Sequence, residues 1–309
     1  MVKTDILLTK KNDMKKNFTK QKVAILGSSL PMLLLAYYLK NKKNIDTVII
    51  DNSQNLGGAW QKFNYKGFQI RKQSNIIVPI NKLEEKNQNK VNAFLKKNFN
   101  IKIHKIYKKI ITSYKTKNQF SYDFDYFLRR IPKEKIFKKV LIKKIRLLNN
   151  GKVEINNKLK FDLVFVPSYF GIKKIYLKGK VLKVDNKAIQ SEHVITILRR
   201  GLFKNIYYSD FFNNFFDRVQ FMQHGKFTSF SARISKEKKG SSNKIILSEL
   251  KKIFQKDEIL KVNKFKYENF YRNKDQIKEL KKIDKSKSII HINTTSLMTS
   301  MIKIMNYLR

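Results

Sequence analysis

An α/β fold, with a parallel sheet intertwined with a second, β-rich domain, is what this sequence predicts, and three observations carry the prediction. An apolar strand, a tight turn, a helix and a second apolar strand succeed one another within residues 22–50. Parallel strands joined by a crossover helix are buried on both faces, so they read as continuous apolar runs. The middle of the chain holds short branched and aromatic segments around turns such as Asn149-Asn150-Gly151 and Asn156-Asn157, which is hairpin chemistry. An apolar strand and a helix then return at residues 287–292 and 296–308, as a chain needs if it leaves its first sheet and closes back onto it. With no internal repeat and no low-complexity linker, the domains are expected to be intertwined.

Taken in order, Lys22-Val-Ala-Ile-Leu26 is the first buried strand and Gly27-Ser-Ser-Leu-Pro31 the turn. Met32–Asn41 is rich in helix formers, and Pro31 suits a first helical turn but not an interior. Asp46-Thr-Val-Ile-Ile50 completes the βαβ unit. Strand-like pieces follow at residues 68–72 and 75–79, and a polar amphipathic helix at 84–98. Further strands are predicted at 101–113, 119–124, 138–148, 152–155, 159–166, 206–208, 215–222 and 227–235, with antiparallel pairing the simplest arrangement. Residues 244–254 form the next helix. The expected organisation is a basic leader at 1–20, a discontinuous dinucleotide-binding domain at 21–100 and 286–309, and a β-rich substrate or lid domain at 101–285.

Composition narrows the function classes. Hydrophobic residues make up 42% of the 309, with 23 Phe and 14 Tyr, enough to build a core and to exclude wholesale disorder. No uncharged apolar run reaches the length of a membrane-spanning helix. The N-terminal residues lack the apolar core of a signal peptide, so a cytoplasmic protein is expected. The absence of cysteine removes disulfides, thiolate metal sites and a cysteine nucleophile. His104, His193, His224 and His291 share no metal-ligand spacing, and no metal site is expected.

Charge points elsewhere at first. Lys+Arg exceed Asp+Glu by 68 to 23, a formal charge of +45. Lysine supplies the surplus and is spread along the whole chain, whereas bidentate readout of bases and phosphates favours arginine. The expectation is salt-sensitive adsorption to polyanions without a specific nucleic-acid partner.

Residues 23–60 carry the chemistry. The first strand delivers the chain to a helix N-terminus, where backbone N–H groups and the helix dipole can hold a pyrophosphate. Asp51 lies directly after the second strand and 24 residues beyond Gly27, where an acid hydrogen-bonds ribose hydroxyls. Gly57-Gly58 then lets the backbone run close to a bound group. In these features the sequence resembles the FAD-binding flavoprotein superfamily of amine oxidases, protoporphyrinogen oxidases, phytoene desaturases and UDP-galactopyranose mutases. Gly27, Ala36, Leu39, Asp51, Gly57 and Gly58 stand in register with the family pattern, while Ser29 and Met32 replace its second and third glycines.

The resemblance implies a Rossmann-like FAD/NAD(P)-binding sheet, FAD as cofactor and oxidoreductase or flavin-dependent isomerase activity on a small molecule. It assigns the pyrophosphate to Gly27, Ser28 and Ser29 and the adenosine ribose to Asp51. Gly57, Gly58, Ala59 and Trp60 would border the ribityl chain and ring. Asn293 follows the C-terminal strand, where the family has a Gly-Asp pair. Arg218 and Arg233 are candidates for an anionic group of the substrate, and Asp217 is expected to pair with Arg218. Two other readings remain: a cofactor-free binding or assembly protein on the same fold, and a basic nucleic-acid-binding protein. The sequence indicates neither the catalytic residues nor the oligomeric state.

Overall fold

The computed structural model describes residues 21–52, 56–57, 62–71, 76–79, 81–106, 110–111, 119–131, 137–167, 174–177, 180–183, 188–199, 208–209, 211–255, 258–270, 283–292, 294 and 296–308. The basic leader at 1–20 lies outside them. The chain divides into two compact units, the first comprising Met1–Gly58, Phe127–Lys187 and Phe270–Arg309, the second Ala59–Tyr126 and Ala188–Asn269. Among the described residues, no helix is long and apolar enough to cross a membrane.

The first unit is built on five parallel strands, ordered β21 (Ile289–Ile292), β13 (Leu163–Pro167), β1 (Lys22–Leu26), β2 (Asp46–Asp51) and β9 (Phe137–Lys139). Val23 pairs with Leu163 on one side and Thr47 on the other, so β1 is central. Helix α1 (Leu30–Lys43) follows β1, with every residue from Leu30 to Ala36 buried. A helix apolar all round belongs in a core, and α1 packs against α5 (Leu297–Leu308) on one face of the sheet. Asn44 ends α1 in the left-handed conformation, its N–H donating to the Leu39 carbonyl.

The other face of the parallel sheet is covered by a second sheet, ordered β12 (Leu159–Phe161), β11 (Val153–Ile155), β10 (Ile145–Leu147), β14 (Lys174–Leu177) and β15 (Lys180–Lys183). Ile145, Val153, Ile155 and Ile175 share a core with Ala24, Leu26, Val164 and Ile289. The unit therefore has three layers: helices, parallel sheet and outer sheet. Residues 159–166, expected as one strand, split at Asp162. Its N–H donates to the Lys22 carbonyl and its carboxylate accepts the Lys22 N–H, which turns the chain into the parallel sheet beside β1.

The second unit centres on six strands, ordered β20 (Ile259–Phe270), β16 (Ala188–Arg199), β19 (Phe227–Ile234), β18 (Phe216–His224), β17 (Tyr208–Ser209) and β7 (Ile110–Ile111). On one face Val194, Val219, Phe221, Phe230 and Ala232 form a core with Ile246 and Leu250 of α4 (Asn243–Lys251). On the other, Ile195, Ile197 and Phe227 meet Phe63, Phe68 and Ile70 of the hairpin β3 (Lys62–Tyr65) and β4 (Phe68–Arg71). A small sheet of β5 (Ile76–Ile77), β8 (Phe120–Asp123) and β6 (Lys102–Lys105) and helix α2 (Lys82–Phe99) complete it.

Two expectations need correction. Residues 127–187 fall in the first unit, because β9 and β13 pair with β2 and β1, while 59–100 fall in the second, because β3 and β4 cover its large sheet. The middle of the chain is also not uniformly antiparallel, since β9 and β13 are parallel strands.

Candidate functional site

The turn after β1 sits at the carboxyl end of the central strand. The chain runs from β1 through β2 to β9 on one side and later fills the other side with β13 and β21, so the strand order reverses beside β1. Ligands of open α/β sheets bind outside the carboxyl ends of the strands at such a reversal. Gly27 turns here with φ +81°, which glycine adopts without strain, and its N–H donates to the Ile50 carbonyl at 2.8 Å.

Ser28 is buried and held at both ends. Its N–H donates to the Asp51 carboxylate at 2.7 Å, and its carbonyl accepts the Gly57 N–H at 3.0 Å. Ser29 is the N-cap of α1 with extended backbone, and its side chain makes no capping bond. Its hydroxyl is buried and has no hydrogen-bond partner among the described residues. An N-cap serine ordinarily accepts from the first-turn amides, so an unused hydroxyl at a helix N-terminus without acidic side chains in its first turn fits a bound phosphate group. Met32, in place of the third glycine, is fully buried in the first turn of α1. Gly57 has φ +93°, and a Cβ there would meet Leu128 only at 3.7 Å, so the backbone conformation, not space, requires glycine. Gly58, Ala59, Trp60 and Asn293 lie outside the described residues.

The second unit carries the arginines. Across three strands, His193, Arg233 and Arg218 stand in one row, His193 opposite Arg233 and Arg233 opposite Arg218. A bulge between Phe216 and Arg218 places Asp217 beside Arg233, and the two form a bidentate pair at 2.7 and 2.9 Å. The expected pairing of Asp217 with Arg218 is therefore replaced by one across the strands, because the bulge breaks the regular alternation and turns Asp217 toward Arg233. Burial and then the Arg233 and Arg218 charges push the His193 imidazole down to about 3. His193 was not singled out by the sequence, since its place in the row depends on register.

No protein-family model and no curated protein sequence matches the chain. Solved structures do match. A protein assigned as protoporphyrinogen oxidase from Exiguobacterium sp. 255-15 aligns with TM-score 0.61 and 8% identity over 94% of this chain and 98% of its own. Putrescine oxidase bound to putrescine aligns with TM-score 0.61 and 9% identity over 93% of this chain and 99% of its own. A fatty acid isomerase from P. acnes aligns with TM-score 0.57 and 9% identity over 94% and 98%. The chain has the fold of these enzymes. That agrees with the Rossmann-like α/β fold expected from residues 23–60, and at such identity it speaks for the fold alone.

Proposed function

We propose that this protein is an FAD-dependent oxidoreductase or flavin-dependent isomerase of the amine oxidase or UDP-galactopyranose mutase type, acting on a small molecule. The observation that carries the reading is the buried Ser29 hydroxyl without a partner among the described residues, at the N-terminus of α1. Gly27, Ser28 and Ser29 form the pyrophosphate turn and Asp51 holds the adenosine ribose. Gly57, Gly58, Ala59, Trp60 and Asn293 border the ribityl chain and ring. When bound, the flavin supplies the electron-transfer chemistry. The chain's own contribution is binding and orientation. Because the Ser28 N–H is engaged by Asp51, phosphate oxygens are left to the Ser29 hydroxyl and the first-turn amides of α1, of which Pro31 has none. Arg218 and Arg233 are the proposed contacts for an anionic group of the substrate, with Asp217 fixing the Arg233 guanidinium.

The test is the colour of the purified protein and its titration with FAD. Bound oxidised flavin absorbs near about 450 nm, and Ser29→Ala is expected to weaken FAD binding by about tenfold, the value of one charge-assisted hydrogen bond. A colourless protein that takes up no added FAD overturns the reading and leaves the cofactor-free binding protein.

A further inference from the structure

The outer sheet of the first unit has a face that the core does not use. Strand alternation turns Leu159, Ile155, Ile145, Ile175 and Leu182 toward the parallel sheet. The row between them, on the opposite face, reads Lys160, Glu154, Arg146, Tyr176 and Val181 across all five strands. The same alternation places Lys152 and Lys174 on that face. Lys144 joins them, its ammonium 4.8 Å from the centre of the Tyr176 ring, with the Arg146 guanidinium 5.9 Å from it. Against these five cations the row offers one carboxylate, Glu154, while Asp162 takes up part of the Lys152 charge at 3.4 Å.

Sheet stability alone does not ask for this. Glu154 faces Lys160 on one side and Arg146 on the other, pairs that favour a sheet, but the row holds no further carboxylate for Lys144 and Lys174. Lysine on an edge strand guards against strand addition, which accounts for Lys160 on β12. It does not account for Arg146 and Lys174, which sit on the interior strands β10 and β14. Diffuse lysine enrichment does not account for the arrangement either, because one aromatic ring stands on the interior strand β14 with two cations against it.

We infer that this face binds single-stranded nucleic acid without sequence preference. A positively charged surface that follows the phosphates, with an aromatic side chain for a base to stack on, is the recognition mode of single strands. A membrane surface is the weaker match. Interfacial binding inserts apolar and aromatic side chains, and here the exposed apolar residue of the row is Val181, at the edge, while Tyr176 is half-buried. Duplex DNA is weaker still, since its groove admits a helix or narrow ribbon. The inference is independent of the flavin reading.

The test is fluorescence anisotropy of a labelled oligouridine of about 16 nucleotides, the upper range of a single-module site, at salt from about 50 to 200 mM. The full chain is compared with Arg146→Glu/Lys160→Glu and with a control of equal charge change, Lys90→Glu/Lys97→Glu, at exposed positions of α2. The sheet variant is expected to bind at least tenfold more weakly, with the log–log salt slope smaller by roughly 1.4 for two lost phosphate contacts. The control should change less than about threefold. Lys144→Glu/Lys174→Glu repeats the test from the interior strands. Tyr176→Ala is expected to lose about tenfold and Tyr176→Phe to retain binding, since only the ring is needed. Equal losses in the sheet and α2 variants would mean a diffuse charge effect and overturn the inference, as would absence of binding at about 50 mM salt. Capture by vesicles containing phosphatidylserine that oligouridine fails to compete away would also overturn it, in favour of a membrane.

Discussion

The parallel sheet of the first unit and the six-stranded sheet of the second bury their residues in different ways. The parallel sheet is apolar on both faces: Ala24 and Leu26 meet the outer sheet, while Val23, Ile25 and Phe165 face the helices, and all are wholly buried. Its polar groups gather at the strand ends, where Ser28, Ser29 and Asp51 stand together. The six-stranded sheet packs a largely aromatic and aliphatic core on the α4 face, with Glu192, Thr196 and Thr228 buried among it, whereas its other face carries buried Ser229, Ser231 and Gln220 and the row of His193, Arg233 and Arg218. The difference teaches where each unit keeps its chemistry: at the end of one sheet and across the face of the other.

Truncation in the two sheets sharpens that comparison most. Ile25→Ala and Leu26→Ala are expected to cost alike, about 2–5 kcal/mol each, because both faces of β1 are packed. In the second sheet, Phe230→Ala on the α4 face should cost about 3–5 kcal/mol, whereas Ser231→Ala on the other face should cost about 1 kcal/mol or less. Denaturant unfolding of the four variants measures this. Unequal costs at residues 25 and 26, or equal costs at 230 and 231, would break the comparison.

Asp51 tests the strand-end site. Its carboxylate accepts the N–H of buried Ser28, so Asp51→Ala leaves that donor without its partner and should lower apo-protein stability by about 1–3 kcal/mol. If FAD binds as proposed, the same variant should also lose roughly ten- to hundredfold in affinity, at about 1.4 kcal/mol per factor of ten. Asp51→Asn keeps an acceptor and should recover most of the stability. Melting temperatures with and without FAD separate the two roles, because a ligand that binds only the native state raises the midpoint. An Asp51→Ala protein as stable as the parent would remove the structural role, and unchanged FAD affinity would remove the ribose role.

How much of this was legible in the sequence follows from the same contrast. Continuous apolar runs mark buried parallel strands, so β1 and β2 stand where residues 22–26 and 46–50 predict them. In sequence β12 and β13 read as one strand because Asp162, the single residue that divides them, works through contacts with Lys22 far away in sequence. In the second unit, β16 and β20 carry no clear strand signal: Ser191, Glu192 and His193 interrupt one, and Lys261, Asn263, Lys264 and Lys266 break up the apolar residues of the other. Motif spacing brings out Gly27, Asp51 and Gly57, but the clamp of Asp51 and Gly57 on Ser28 is tertiary. The pairing of Asp217 with Arg233 depends on a bulge, and no spacing rule reports one.

The effect on the face of the second sheet is read in acid. Burial and then the charges of Arg233 and Arg218 hold the His193 imidazole neutral down to about pH 3, whereas an unfolded histidine protonates near about 6.5. Above that pH both states are neutral and His193 contributes no pH dependence. As pH falls from about 6.5 toward 3, the unfolded chain takes up a proton that the native sheet refuses, so stability declines by up to about 1.4 kcal/mol per pH unit. Glu192 acts in a lower window. Burial pushes its carboxyl up, but the Gly240 N–H at 2.9 Å and Lys264 at 3.0 Å outweigh that and hold it below the usual range. Its contribution is therefore lost only as pH falls below about 4.3. Between about pH 6 and 4.5, His193→Gln should show a flatter stability profile than the parent, by up to one proton, measured by urea unfolding at each pH. Identical slopes would mean that His193 accepts its proton in the folded sheet, and the row would then carry three cations facing one carboxylate.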